Sequence, residues 1–116
     1  MKTQTSELTG AALDWAVAKC ERPDWDATIL TMNVLNGGFN PSINWSQGGV
    51  IIERERLSVL PYSFNTENPW VSHSAEGCRT EVGPTPLITA MRCYVASKLG
   101  DEVDIPNELI NEGEIK

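Results

Sequence analysis

The chain is short and acidic. Its 116 residues are 41% hydrophobic, which predicts one folded domain with a single core. A formal net charge of -7 argues against general binding to DNA or RNA, because such binding neutralises phosphates with Lys and Arg. No apolar run approaches the roughly 20 residues that span a bilayer, and the first residues lack the apolar core of a signal peptide. We therefore expect a cytosolic protein without a membrane partner.

The residue types that usually carry chemistry are scarce. Cys20, Cys78 and Cys93 are odd in number and lack Cys-x-x-Cys spacing, so we expect reduced thiols rather than a disulfide framework or a zinc site. His73 is the only histidine, and no nucleophile motif surrounds it, so a solvated loop position is expected. The sequence thus predicts no metal site, no cofactor and no catalytic centre. A small nucleotide hydrolase is the least favoured alternative.

The first third of the chain predicts a helix followed by a strand. Thr9 has the side chain of an N-cap, and Pro23 ends the helical pattern about three turns later. Between them an apolar strip repeats at helical spacing: Leu13, Ala16, Val17 and Cys20. The segment from Ala27 to Asn36 is rich in β-branched side chains with partial alternation, which predicts a β-strand.

The middle of the chain predicts loops around one strand. Phe39 to Gly49 is crowded with Asn, Pro, Ser and Gly, which is typical of a loop. Val50 to Leu60 alternates with a period of two, so it predicts a strand with both of its arginines on one face. Pro61 to Val82 is predicted to be a long loop with a short strand at Trp70 to Ser72.

The clearest helix lies between Gly83 and Gly100. Thr85 is a good N-cap, Pro86 suits the first helical position, and Gly100 can take the left-handed conformation after the last turn. Apolar residues line one side of this helix at three- and four-residue spacing: Leu87, Met91, Tyr94, Val95 and Leu99.

Helices near both ends and strands in the middle predict an α+β domain, with two main helices packed on a small, mainly antiparallel β-sheet. We expect this domain to cover residues 1–106. Residues 107–116 predict an acidic, partly disordered C-terminal tail.

One predicted loop carries the features of a ligand site. Trp45 lies beside amide side chains and unhindered backbone N–H groups, a combination that can stack on and hydrogen-bond a planar polar ligand such as a nucleobase. The loop residues concerned are Asn44, Trp45, Gln47, Gly48 and Gly49. The equally weighted alternative is that Trp45 fills the core while Asn44 and Gln47 tie down a turn. Trp70 has the same two interpretations, and its polar neighbours favour the rim of a pocket.

Three further residues could hold the anionic part of such a ligand. Arg54 and Arg92 carry guanidinium groups, which bind phosphate in bidentate fashion. Thr85 would add backbone N–H groups at a helix N-terminus. The alternative is structural, since Arg54 can pair with neighbouring Glu residues and Arg92 lies at the edge of the apolar side of its helix.

Three blocks of the chain carry the motifs Leu-Thr-Gly-Ala-Ala-Leu-Asp-Trp, Asn-Trp-Ser-Gln-Gly-Gly and Gly-Pro-Thr-Pro-Leu-Ile. They cover residues 8–21, residues 40–49 with 51–55, and residues 83–88 with 91–103. In this order the blocks resemble the NinX-like family of small proteins from temperate, lambda-like bacteriophages, a family of unknown function. The chain departs from the family pattern at three positions, where Asp, Pro and Ala are expected: Asn44, Val50 and Thr89. The missing carboxylate at Asn44 argues against a general base there. The resemblance implies a phage origin and no established activity.

These features favour a non-enzymatic phage accessory protein that binds a small nucleotide-like ligand in the cytoplasm of an infected bacterial host and could sequester a host immune signalling nucleotide. The alternative is a protein-interaction module that inhibits or redirects a host protein through an acidic surface. We expect a homo-oligomer, with a dimer favoured and with ligand residues from the Trp45 and Trp70 loops near the subunit boundary. A monomer with both tryptophans in its core is the competing expectation.

Overall fold

The computed structural model describes residues 1–63, 66–77 and 79–109. These residues form four α-helices and five β-strands. In chain order the elements are β1 (Lys2–Gln4), α1 (Gly10–Glu21), α2 (Ala27–Leu35), α3 (Trp45–Glu55), β2 (Ser58–Pro61), β3 (Trp70–His73), β4 (Thr80–Gly83), α4 (Pro86–Leu99) and β5 (Glu102–Asp104). The strands form two small antiparallel sheets, so the predicted α+β class is confirmed.

Helix α4 lies at the centre of the fold, between the boundaries that the sequence predicts. The Thr85 hydroxyl accepts a hydrogen bond from the Ile88 N–H at 3.2 Å, and Gly100 follows the last turn with a φ of 91°. Every residue from Thr89 to Ala96 is buried, so other elements cover the helix on all sides. Helices α1 and α3 and strands β2, β3 and β4 all pack against it.

Strands β2, β3 and β4 form an antiparallel sheet with β3 in the middle. Val59 pairs with Ser72, and Ser72 pairs with Glu81, which fixes the register of all three strands. The short strand predicted at Trp70 is confirmed as β3, and His73 ends it rather than lying in a loop. Strand β4 was not predicted and lies mostly in the segment predicted as a long loop. Its four residues show little apolar alternation, and they form a strand by pairing with β3.

The predicted strand from Ala27 to Asn36 is wrong, because this segment forms helix α2. Asp26 caps the helix by accepting a hydrogen bond from the Ile29 N–H at 3.0 Å. Leu30 and Val34 lie one turn apart and are buried in the core, where α2 contacts α1. The partial alternation of β-branched residues therefore belongs to a short helix that depends on packing more than on intrinsic propensity.

The predicted loop Phe39–Gly49 and strand Val50–Leu60 are wrong where helix α3 forms. The Asn44 side-chain oxygen caps this helix by accepting a hydrogen bond from the Ser46 N–H at 3.0 Å. Arg56 ends it in the left-handed conformation, with a φ of 57°. Only the last residues of the predicted strand are extended, as β2, so the two arginines of this segment do not share a strand face.

Strands β1 and β5 bring the two ends of the described chain together. Lys2 pairs with Asp104, and the terminal ammonium group contacts the Asp104 carboxylate at 2.7 Å. After β5, Asn107–Leu109 form a 3₁₀ turn in which Leu109 is buried. The rest of the predicted acidic tail, residues 110–116, lies outside the described residues.

Two cysteines lie in the described part of the chain, one on α1 and one on α4. Cys20 on α1 and Cys93 on α4 are free, as predicted, with Cys93 buried and Cys20 half-buried; Cys78 lies outside the described residues. Burial raises the pKa of the Cys20 thiol to about 12, so the thiol stays protonated. No helix in the described part of the chain combines the length and apolar character needed to span a bilayer.

Gly48 is expected to be the less replaceable glycine of the pair in α3. A methyl group there would lie 2.6 Å from both the Pro41 carbonyl oxygen and the Leu87 side chain, whereas one at Gly49 would lie 3.8 Å from the Trp45 ring. We expect Gly48→Ala to lower the free energy of unfolding by about 1–3 kcal/mol through overpacking. Gly49→Ala is the matched control and should be neutral or stabilise by up to about 1 kcal/mol, because alanine favours a helix. Urea unfolding measures both, and equal stabilities would contradict the close packing at Gly48.

Candidate functional site

A groove of about 380 Å³ opens where α1, α2 and the segment before α3 meet. Its walls come from the end of α1, the turn after it, the outer side of α2 and the loop that follows α2. The volume lies in the range of small-molecule sites. The lining includes two aromatic rings, one amide, one cation and one carboxylate, which belong to Trp25, Phe39, Asn33, Arg22 and Glu21.

Trp25 and Arg22 form one side of the groove as a stacked pair. The Arg22 guanidinium carbon lies 5.5 Å from the centroid of the Trp25 ring, which is a cation–π distance. The backbone supports this geometry, because the Trp25 N–H donates to the Arg22 carbonyl at 3.2 Å in the turn between α1 and α2. Trp25 is 36% exposed, so part of its surface is accessible to a planar ligand.

Glu21 contributes a carboxylate that the protein already neutralises. Arg54 on α3 binds it in bidentate fashion with N–O distances of 2.6 and 3.1 Å, and the Tyr94 hydroxyl on α4 donates to it. Burial acts to raise the pKa of Glu21, but the hydrogen bonds from Arg54 and Tyr94 outweigh it and hold the pKa below its ordinary value. The carboxylate is therefore ionised and engaged, which makes it a poor general base.

Gln47 positions the Phe39 wall of the groove. Its side-chain oxygen accepts a hydrogen bond from the Asn40 N–H at 2.7 Å, and its amide nitrogen donates to the Gly38 carbonyl at 2.9 Å. These bonds hold the residues on either side of Phe39, which is half-buried and packs against the core. Gln47 therefore acts on the groove through its neighbours rather than by direct contact with a ligand.

The predicted ligand loop is the beginning of α3, and the structure uses most of its groups locally. Asn44 caps the helix, and its oxygen also accepts a hydrogen bond from the Ser46 hydroxyl at 2.6 Å. Gly48 is buried by close packing, while Gly49 lies beside the Trp45 ring. Trp45 itself is 58% exposed, so it does not fill the core and its ring is accessible for contact.

Arg92, predicted as an anion ligand, makes its hydrogen bonds to the backbone. Its guanidinium donates to the Leu8 carbonyl at 2.8 Å and to the Val82 carbonyl at 2.9 Å. Burial lowers the pKa of this guanidinium, although nearby Glu81 and Glu7 act in the opposite direction. Arg92 thus connects α4 to the segment before α1 and to β4.

The remaining predicted residues lie on three elements. Arg54 on α3 contacts Glu21, so Arg54 and Gln47 are the two predicted residues that hold parts of the groove from outside. Trp70 is half-buried on β3, and Thr85 caps α4; neither lines the groove. The predicted ligand residues therefore do not line this groove.

Sequence reasoning missed four residues that line the groove: Arg22, Trp25, Asn33 and Phe39. Two signals could have indicated the aromatic residues: Trp25 follows Pro23 in a polar turn, and Phe39 directly follows a Gly-Gly pair. Asn33 could not be recognised while residues 27–36 were assigned to a strand, because its neighbours on a helix lie three and four residues away rather than two.

The groove presents groups that can contact a planar polar ligand. It offers stacking surfaces, a cation and an amide, and its lining contains no Ser, Thr, Cys or His that could act as a nucleophile or base. Among the residues that the structure describes, no three His, Cys, Asp or Glu side chains come together as metal ligands.

One family of known proteins matches most of the chain. A sequence model of a protein family, described as Bacteriophage P22, NinX, matches residues 4–98 of the chain. The matched range contains every residue that lines the groove and most of α4. A search of curated proteins finds no match to the chain. The resemblance that the sequence motifs indicate is thereby confirmed.

Glu21→Gln is expected to destabilise the protein in a pH-dependent way. Because the folded-state pKa of Glu21 lies below its ordinary value of 4.5, its ion pair stabilises the fold above pH 4.5, and this stabilisation is lost as the pH falls through the folded-state pKa. We expect a loss of about 1 kcal/mol at neutral pH, since the pair is partly exposed to solvent. The loss should shrink near pH 3.

Urea unfolding at both pH values measures the effect of Glu21→Gln. Glu53→Gln on the exposed side of α3 is the control and should change the free energy of unfolding little at either pH. A loss of equal size at both pH values would show that the Glu21 charge does not stabilise the fold.

Proposed function

The chain belongs to the bacteriophage NinX family, and we propose that it is a phage accessory protein that binds a small nucleotide-like ligand without transforming it. We propose the groove between α1 and α2 as the binding site. In the cytoplasm of an infected bacterium, such a protein would act by sequestering a host immune signalling nucleotide. Its effect would then depend on affinity and abundance rather than on turnover.

The observation that carries this proposal is the stacked pair of Trp25 and Arg22 beside Asn33 and Phe39. An indole ring and a phenyl ring offer stacking surfaces for a base, and base–aromatic stacking is worth about 1–3 kcal/mol per base. No hydrogen bond to the rest of the described chain is seen for the Asn33 amide, so it can pair with the polar edge of a base. The groove combines these groups within about 380 Å³.

The charges of the groove suit a small ligand better than a long nucleic acid. Arg22 provides one cation, and the Glu21 carboxylate is paired with Arg54, so it repels an anion less than a free carboxylate would. The net charge of -7 on the whole chain disfavours a polyanion. These properties favour a ligand with a stacking base and limited negative charge.

A protein-interaction module is the second candidate, and exposed apolar residues near the start of α3 favour it. Ile43 is 71% exposed, and Trp45 and Val50 are each 58% exposed. Exposed aromatic and aliphatic side chains are common anchors of protein interfaces. In this candidate a host protein binds these residues, and the acidic surface influences which partners approach.

Trp25→Ala is expected to weaken ligand binding about 10-fold or more, because it removes a stacking surface worth about 1–3 kcal/mol. The ligands to test are a panel of cyclic and ADP-ribose-derived nucleotides, with affinity measured by calorimetry. A bound nucleotide should be recovered intact after the protein is denatured, as expected for binding without hydrolysis. Recovery of a cleaved product would show enzymatic activity instead.

Trp45→Ala is the matched control, since both tryptophans are partly exposed and neither substitution should lower the melting temperature much. Binding that survives Trp45→Ala but not Trp25→Ala would support the groove. The reverse result would assign the site to the start of α3, where the sequence predicts it. If no nucleotide of the panel binds the wild type, the nucleotide proposal fails and the protein-interaction candidate is favoured.

A further inference from the structure

Helix α2 is apolar on both sides, although the fold covers one side only. Its nine residues include no charged side chain. Leu30 and Val34 are buried in the core, whereas Ile29, Met32 and Leu35 are 45%, 57% and 60% exposed. Residues three apart are neighbours on a helix surface, so the exposed side chains form one continuous row. The outer side of a surface helix is normally polar, so this apolar row beside the polar Thr28 and Asn33 is a candidate interface.

We propose that a second copy of this chain covers the row Ile29, Met32 and Leu35, in a twofold dimer whose two α2 helices pack antiparallel. The spacing of the row supports this arrangement, because Ile29 and Leu35 lie at equal distances along the chain on either side of Met32. On a twofold axis at Met32, the side chain meets Met32 of the partner subunit, and Ile29 meets Leu35 of the partner subunit. The row is therefore complementary to itself.

Charge also favours this face for contact between copies. Each copy carries a net charge of -7, so two copies repel each other when acidic surfaces meet. Helix α2 is the one helix of the described chain without a charged residue, as the sequences of α1, α3 and α4 show. Contact through α2 brings apolar surfaces together without placing carboxylates of the helix against each other.

The size of the row indicates a reversible dimer. Exposed apolar patches on the order of a few hundred Å² commonly mark interaction sites. The row consists of three side chains, each about half exposed. It is smaller than the roughly 800 Å² per partner of a standard stable interface. A cavity of about 360 Å³ lies beside the row and provides space for side chains of the partner. Its border includes Met32, Leu35 and Pro106 and one acidic residue, Glu108. We therefore expect dimer and monomer to exchange with concentration.

Sedimentation of the full chain at several concentrations tests the proposal. The mass of the wild type should rise from 12.8 kDa towards twice that value as the concentration increases. Met32→Glu places two carboxylates at the axis and should hold the mass at 12.8 kDa throughout. Val50→Glu is the matched control, because Val50 is 58% exposed and Met32 57%, but Val50 lies on α3. This control should dimerise as the wild type does, and circular dichroism should show both variants folded.

Cysteine substitution tests the antiparallel arrangement separately. Met32→Cys places two thiols next to each other at the axis, so mild oxidation should give a covalent dimer on a non-reducing gel. Val50→Cys should give no more covalent dimer than the wild type, whose own cysteines set the background. Equal linkage by both variants would contradict the arrangement.

Four results overturn the proposal. They are a wild type that stays monomeric, a dimer that Met32→Glu leaves intact, a dimer that Val50→Glu disrupts, and a dimer that forms only after residues 110–116 are removed. The third result would assign the interface to α3, and the last would show that the chain covers α2 with its own C-terminal residues. None of these measurements involves a nucleotide, so failure here is distinguishable from failure of the proposed ligand site.

Discussion

The burial of α4 on all sides is the constraint on which the other elements depend. A helix covered on every side needs two layers around it, and α1, α3 and the three-stranded sheet supply them. Arg92 lies within this buried region, where an unpaired guanidinium would be costly. Its hydrogen bonds to the carbonyl oxygens of Leu8 and Val82 therefore do more than add stability. They require the segment before α1 and strand β4 to lie beside the same turn of α4.

A second constraint acts at the ends of α1, α3 and α4. Glu21, Arg54 and Tyr94 join the three helices, and Glu55 extends the cluster to Lys98 at 3.6 Å. Helix α2 has no part in this cluster and is held by its buried apolar residues and by a hydrogen bond between Trp15 and Thr31. The groove thus has two different walls. Ion pairs fix the wall at the end of α1, whereas the α2 wall is held mainly by the buried apolar side of that helix.

The limits of sequence prediction are visible in the helix caps. Thr85, Pro86 and Gly100 mark both ends of α4, and no competing pattern exists there. Asp26 and Asn44 are equally good caps, but the residues after them also suit a strand or a loop, and tertiary packing decides between the two. The groove depends on contacts such as Arg54 with Glu21, which join residues far apart in the sequence. Local patterns can indicate that a tryptophan, an amide or an arginine binds something, but not which of them meet.

Two groups of large apolar residues stay exposed after the fold has formed, one on α2 and one on and just before α3. The residues predicted to bind a ligand at α3 are already engaged: Asn44 caps the helix, Gln47 holds a turn, and Arg54 pairs with Glu21. Arg92 is buried and bonds to backbone carbonyls. On α2, by contrast, the outer apolar row lies outside the core and stays about half exposed. A helix this short is not stabilised by such a row in water. The proposed contact with a second copy of the chain would account for this composition.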